Sequence, residues 1–125
     1  SGGIDFDNLD ASRGYGPWRF YGQSKLANLL FTRALAARHT GLTANALHPG
    51  VIGTKLLKSG FRMQGASCAD GARTSVYLAT SPNVAQVSGA YFDNCRERTA
   101  DRRARNQTLI DALWDTTRER LSAFL

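Results

Sequence analysis

The chain has 125 residues, 42% of them apolar and 21% charged, with a formal net charge of +6. That suffices for one ordinary domain with a core and excludes disorder throughout. Cys68 and Cys95 form no Cys-x-x-Cys pair, which argues against a disulfide framework or zinc site and for a reducing compartment, expected to be the cytoplasm.

No apolar run approaches the roughly 18 residues of a membrane span, and SGGIDFDNLD lacks the basic and apolar segments of a signal peptide. Membrane binding is therefore not expected of this chain. The positive charge gathers in the arginines between Arg96 and Arg120. With no nucleic-acid motif or groove-reading helix beside them, a solvated surface is the reading and no nucleic-acid partner is expected. The sequence has no initiator methionine and enters an acidic, loop-like segment at once, so a longer protein is expected.

Taken in chain order, residues 1–17 are rich in Gly, Asp, Asn and Ser and read as a loop, with Pro17 suited to the first turn of a helix. Good helix formers then predict a helix over 18–39. Its apolar positions, from Leu26 through Ala37, cover most of the circumference, so it should be buried on several sides, against a sheet and against another helix or a second subunit. Gly41 is placed to stop it. Alternating apolar residues predict a buried strand over 42–48, ending at Pro49-Gly50. Residues 51–66 carry three glycines and no dominant period, and read as a substrate loop.

Helical spacing resumes over 68–80 and Ser81-Pro82-Asn83 closes it. A second strand is predicted over 87–93, and an amphipathic helix over 104–121 with Leu109, Ile110, Leu113, Trp114 and Leu121 on one side. Helix, turn and strand in this order imply an α/β layer arrangement. Two strands do not make a stable sheet alone, so further chain must complete it.

The chemistry centres on Tyr21 and Lys25. Residues four apart on a helix share one face, and a cation beside a phenol favours the phenolate, making a proton donor or acceptor. By spacing alone the signal is weak, since such pairs arise by chance on many helices. Pro-Gly beyond a strand is likewise a common turn, although the carboxyl end of a strand is where open α/β sheets bind ligands. Ser24 points about a hundred degrees away from Lys25 and reads as a capping or packing residue. His39 and His48 have no carboxylate pattern around them and suggest no metal site. Trp18, Phe20 and Phe31 could line a lipophilic pocket but read more readily as core, whereas Leu56, Leu57, Phe61 and Met63 are better candidates for contacting an apolar substrate.

In combination, YGQSKLANLLFTRALA, NALHPGVIGT, TSVYLATSPNV and SGAYFDNC resemble the short-chain dehydrogenase/reductase family over nearly the whole chain, most closely its retinol-dehydrogenase-like members. The resemblance implies the C-terminal half of a Rossmann-type, doubly wound parallel sheet with flanking helices. It makes Tyr21 the catalytic acid/base and gives Lys25 two tasks, stabilising the tyrosinate and holding the nicotinamide ribose. Pro49, Gly50, Val51, Ile52 and Thr54 would support the nicotinamide, with the Ile52 backbone on its carboxamide and the Thr54 hydroxyl near the carboxamide or pyrophosphate.

The implied cofactor is NADP, ahead of NAD. The implied substrate is a lipophilic carbonyl or alcohol, such as a retinal-like aldehyde or ketone, and the Tyr21 to Arg38 helix would join a homo-oligomer. The family's glycine-rich turn is not among these residues, and its catalytic serine is expected before Ser1. A non-catalytic fragment or pseudoenzyme acting as a dimerisation module stands as the alternative.

Overall fold

The structure, a computed structural model, describes residues 3–55, 57, 59 and 64–125. Its long helix α1, Pro17–Arg38, begins as proline at a first turn dictates, with Gly16 extended ahead of it. Gln23, Leu26, Leu30 and Ala34 are buried along it, a stripe of three- and four-residue steps on one face. That stripe packs on Ala100, Ala104 and Ile110 to form the core cluster, with Leu29, Tyr91, Leu109, Leu113 and Trp114 against its edge. Alanines at three of these positions let the backbones approach closely, while a fully buried leucine such as Leu30 contributes roughly 1.5–3 kcal/mol.

Two expectations for this helix are corrected. It is not covered all round: Trp18 and Phe31 are 71% and 51% exposed, because Ile110 and its neighbours cover only the Leu26–Ala34 stripe. Gly41 does not stop it either. His39 leaves helical geometry directly after Arg38, its N–H still bonded to the Leu35 carbonyl, and Gly41 is not among the glycines with positive φ.

The segment ahead of α1 is more ordered than a plain loop. Asp5 caps a 3-10 turn at Phe6–Asn8 and its own N–H donates to Gln23 Oε1 at 2.9 Å. The Asn8 side chain is buried and closes the following turn, donating to the Gly14 carbonyl and accepting from Arg13 N–H.

Strand β1, Ala46–His48, runs parallel to β2, Tyr91–Asp93, in register Ala46↔Tyr91, Leu47↔Phe92 and His48↔Asp93. Helix α2, Cys68–Thr80, makes the crossover a parallel pair needs. Ser67 caps it by accepting from Asp70 N–H at 3.1 Å while its hydroxyl donates to the Asp70 carboxylate. A third strand, β3, Arg96–Arg98, lies antiparallel on β2, so the sheet is mixed, in order β1-β2-β3, where an all-parallel one was expected. Its turn residues Asn94 and Cys95 have φ of 49° and 58°, as a two-residue hairpin requires, and Cys95 N–H is held by the buried Thr74 hydroxyl at 3.1 Å. The exposed Arg-Glu-Arg of β3 guards the sheet edge.

Both predicted strands are longer than the ladders. Gly89, at φ +77°, takes the chain out of strand geometry before β2, and the Asn45 side chain replaces the missing rungs. Its Nδ2 donates to the Val87 carbonyl at 2.7 Å and its Oδ1 accepts from Ala90 N–H at 3.0 Å. Helix α3, Gln107–Leu121, starts later than the expected residue 104 because Asn106 caps it through Leu109 N–H. The preceding Arg103–Arg105 is a 3-10 turn. Within 51–66, Ile52 and Ala66 form a parallel bridge that clamps the two ends together. Leu56, Phe61 and Met63 lie outside the described residues.

Asn45→Ala removes both side-chain rungs and leaves the Val87 and Ala90 backbone groups short of partners. We expect a loss of about 1–3 kcal/mol in urea unfolding, with Asn45→Asp recovering only the part due to the Ala90 bond.

Candidate active site

Burial of the Leu26–Ala34 stripe sets the rotation of α1 and so leaves Tyr21 and Lys25 on its exposed flank. The Lys25 ammonium lies 5.3 Å from the centroid of the Tyr21 ring, within cation–π reach, and the phenol is 49% exposed. The two groups thus meet one turn apart, on a side facing away from the chain's own core. Ser24 turns back along the helix, its hydroxyl donating to the Tyr21 carbonyl at 2.8 Å.

The second element of the site is the turn at the carboxyl end of β1. Gly50 has φ +87°, a left-handed conformation that suits glycine, and a Cβ placed there would lie 3.7 Å from the Ile52 side chain. Its N–H donates to His48 Nδ1 at 3.0 Å. Val51 is half exposed. The bridge to Ala66 uses the Val51 carbonyl and Gly53 N–H, each at 2.8 Å, which in a parallel bridge turns the N–H and C=O of Ile52 to the opposite edge. There the Ile52 carbonyl takes Thr54 N–H at 2.8 Å. The Thr54 hydroxyl accepts from Leu57 N–H and keeps its proton for donation.

Helix α1 packs on β1, so the pair and the turn ride on neighbouring elements. Among the described residues, two grooves lie elsewhere. One of about 850 Å³ runs beside the pair through Trp18, Arg19, Gly22 and Gln23 to Asp5 and Arg103. Another, of about 730 Å³, lies at the far end of α1 against Trp114. Trp18 and Phe31, read from the sequence as core, face outward. Phe31 stacks on Trp114 with centroids 6.0 Å apart, and the Arg38 guanidinium lies 5.0 Å from the indole. Arg38 also pairs with Asp111 at 2.6 Å and holds that carboxyl below the usual carboxylate range.

The sequence reading considered His48 only as a metal ligand and missed its bond to Gly50. The signal was there: an acceptor side chain two positions before a glycine is the pattern of a turn closed by a side chain. Among the described residues no cluster of His, Cys, Asp and Glu could hold a metal ion, and no helix is long and apolar enough to cross a membrane.

No family model matches the chain. Retinol dehydrogenase 14 of Homo sapiens is 40% identical over 91% of this chain and 38% of its own length. Retinol dehydrogenase 12 of Mus musculus is 37% identical over 96% and 42%. The short-chain dehydrogenase TIC 32 A, chloroplastic, of Brassica napus is 37% identical over 90% and 40%. The crystal structure of an uncharacterized protein from Mycobacterium paratuberculosis superposes with a TM-score of 0.71 at 30% identity, covering 94% of this chain and 44% of that one. The chain is therefore homologous to the short-chain dehydrogenases/reductases, retinol dehydrogenases among them, and it spans about two fifths of the length of the curated relatives it matches.

The clamp under the turn leaves no room at Gly65, where a Cβ would lie 2.5 Å from the Val51 carbonyl oxygen and 2.7 Å from Gly53 N. Gly65→Ala should therefore open the Ile52–Ala66 bridge and speed amide exchange at Gly53 and Ala66 at least about tenfold, a change of about 1.4 kcal/mol or more in local opening. Gly41→Ala, with nothing within 4 Å, should leave both rates unchanged.

Proposed function

We propose that the intact protein is a nicotinamide-dependent oxidoreductase of the short-chain type and that these residues are its C-terminal half. The observation that carries this is the Lys25 ammonium set against the Tyr21 ring on the helix packed beside β1, whose carboxyl end turns through a left-handed glycine. The sequence relatives add the chemistry, since three of them carry dehydrogenase names.

Tyr21 is the acid/base in this reading. In reduction its hydroxyl gives a proton to the carbonyl oxygen; in oxidation its phenolate takes one from the alcohol. Lys25, its ammonium against the Tyr21 ring, is assigned the ribose hydroxyls and the charge beside the phenol. The bare backbone at Gly50, the outward edge of Ile52 and the Thr54 hydroxyl suit a flat, amide-bearing ring, with Pro49 and Val51 forming the shoulders of the turn. A nicotinamide dinucleotide bound there, NADP before NAD, supplies or accepts the hydride.

The substrate we assign is a lipophilic alcohol or carbonyl, in line with the retinol named in two of the relatives and with the apolar Val51 and Leu57 beside the turn. The exposed Phe31 and Trp18 give α1 a surface for a homo-oligomer. The same surface supports the second reading, an interaction module without catalysis. Both cysteines are free, as suits a cytoplasmic protein.

In the intact protein, Tyr21→Phe should lower kcat by about 10²–10⁴-fold while nicotinamide fluorescence reports unchanged cofactor affinity, whereas Lys25→Ala should impair both. Near-normal turnover in Tyr21→Phe removes the acid/base assignment. Absence of cofactor binding at millimolar concentration selects the interaction module.

A further inference from the structure

We infer that His48 is a positioning residue: its Nδ1 lone pair holds the Gly50 turn in the shape that faces the cofactor, and protonation of that nitrogen releases the turn toward Asp93. This deepens the function proposed above and, for its effect on affinity, rests on it.

Gly50 N–H donates to His48 Nδ1 at 3.0 Å, so Nδ1 carries no proton in this geometry and the ring proton sits on Nε2. The bond spans two residues and closes a small ring across Pro49. It does for histidine what an asparagine or aspartate oxygen does in a side-chain-closed turn. Pro49 fixes one side of that ring through its own φ, and Gly50 at +87° supplies the other. The imidazole bond is what joins the two, and it fixes the direction in which Val51 and Ile52 leave β1.

The same nitrogen has a competing partner. Parallel pairing sets His48 opposite Asp93, and Nδ1 lies 3.9 Å from Asp93 Oδ1. That is too long for a hydrogen bond but near enough for an ion pair once the ring is charged. One nitrogen cannot accept from Gly50 and donate to Asp93 together. With the ring neutral, Nδ1 accepts and the turn is closed. With the ring charged, Nδ1–H opposes Gly50 N–H, donor against donor, and is drawn to the carboxylate. Helices α1 and α2 also pack on β1 and carry Lys25, Arg33, Asp70 and Arg73 with the phenols of Tyr21 and Tyr77, while β2 adds that of Tyr91. Among the described residues, Asp93 is the charged group within ion-pair distance of the imidazole.

The test uses His48→Asn, which restores an uncharged acceptor two residues before Gly50, and His48→Leu, which has none. In the intact protein, long-range ¹H–¹⁵N spectra should show the Nε2–H tautomer. The Gly50 amide proton should move upfield on acidification in step with the His48 ring. It should stay fixed in His48→Asn and lie upfield at every pH in His48→Leu. In the intact protein, the cofactor dissociation constant should rise about three- to tenfold in His48→Leu, as for one hydrogen bond lost, and remain within about twofold of wild type in His48→Asn. It should also rise on acidification in wild type but not in His48→Asn.

An Nδ1–H tautomer, a Gly50 amide indifferent to His48→Leu, or an asparagine variant that behaves like the leucine one would overturn the proposal. If the spectra follow the expectation but the intact protein binds no nicotinamide at any pH, the turn mechanism stands and it is the oxidoreductase reading that fails.

Discussion

The packing of Leu26, Leu30 and Ala34 onto Ala100, Ala104 and Ile110 governs everything the candidate site can do. A helix is free to spin about its axis until one stripe is committed to the core, and committing that stripe fixes every other residue by steps of about a hundred degrees. Tyr21 and Lys25 face outward because Gln23 and Leu26 face inward. The ion pairs at the two ends of α1, Arg19 with Asp5 and Arg38 with Asp111, are solvent-exposed and contribute little to stability. They steady the ends of a helix whose azimuth the apolar contacts have already set. A change at Leu30 or Ile110 would therefore reach Tyr21 and Lys25 through rotation of α1 without touching either side chain.

The sheet solves a different problem, placing a turn accurately with very little ladder. Three rungs of β1 and β2 are few, and the side chain of Asn45 extends them at one end by taking up the Val87 and Ala90 backbone groups. At the other end His48 takes up the N–H of Gly50. A short strand is thus held at both ends by side chains that stand in for backbone. The Ile52–Ala66 bridge then fixes the far side of the turn. What would otherwise be a floppy exit from a three-residue strand becomes a backbone surface with a defined direction.

Much of this could be read from the residues, for reasons that differ by element. The start of α1 was legible because Pro17 leads into a run of strong helix formers, and α2 because helical spacing resumes over 68–80 and Ser81-Pro82-Asn83 closes it. The Tyr21–Lys25 contact followed from spacing alone, since helical geometry leaves it little freedom. Strand β3 was not legible: its residues are Arg-Glu-Arg, without apolar alternation, and its turn is Asn-Cys where Asn-Gly would have signalled a hairpin. The exposure of Trp18 and Phe31 was not legible either. A sequence records that a residue is apolar, but whether anything covers it depends on which other segments share the core.

That last difference bears on what the exposed face of α1 means. Side chains of the size of Trp18 and Phe31 would each gain roughly 1.5–3 kcal/mol from full burial, and here both are exposed, Trp18 on the same face as the pair assigned to chemistry. Phe31 recovers part of that by stacking on Trp114, and Trp18 lines the groove that runs past Gly22 and Gln23. The homologous proteins have more than twice the length that this chain covers. An active site confined to these residues would leave the Tyr21 hydroxyl open to water, where a neighbouring ammonium acts weakly. Chain that covered Trp18 would also dry the flank holding Tyr21 and Lys25, because one helical face carries all three. Covering the aromatic and excluding water from the pair would then be a single event.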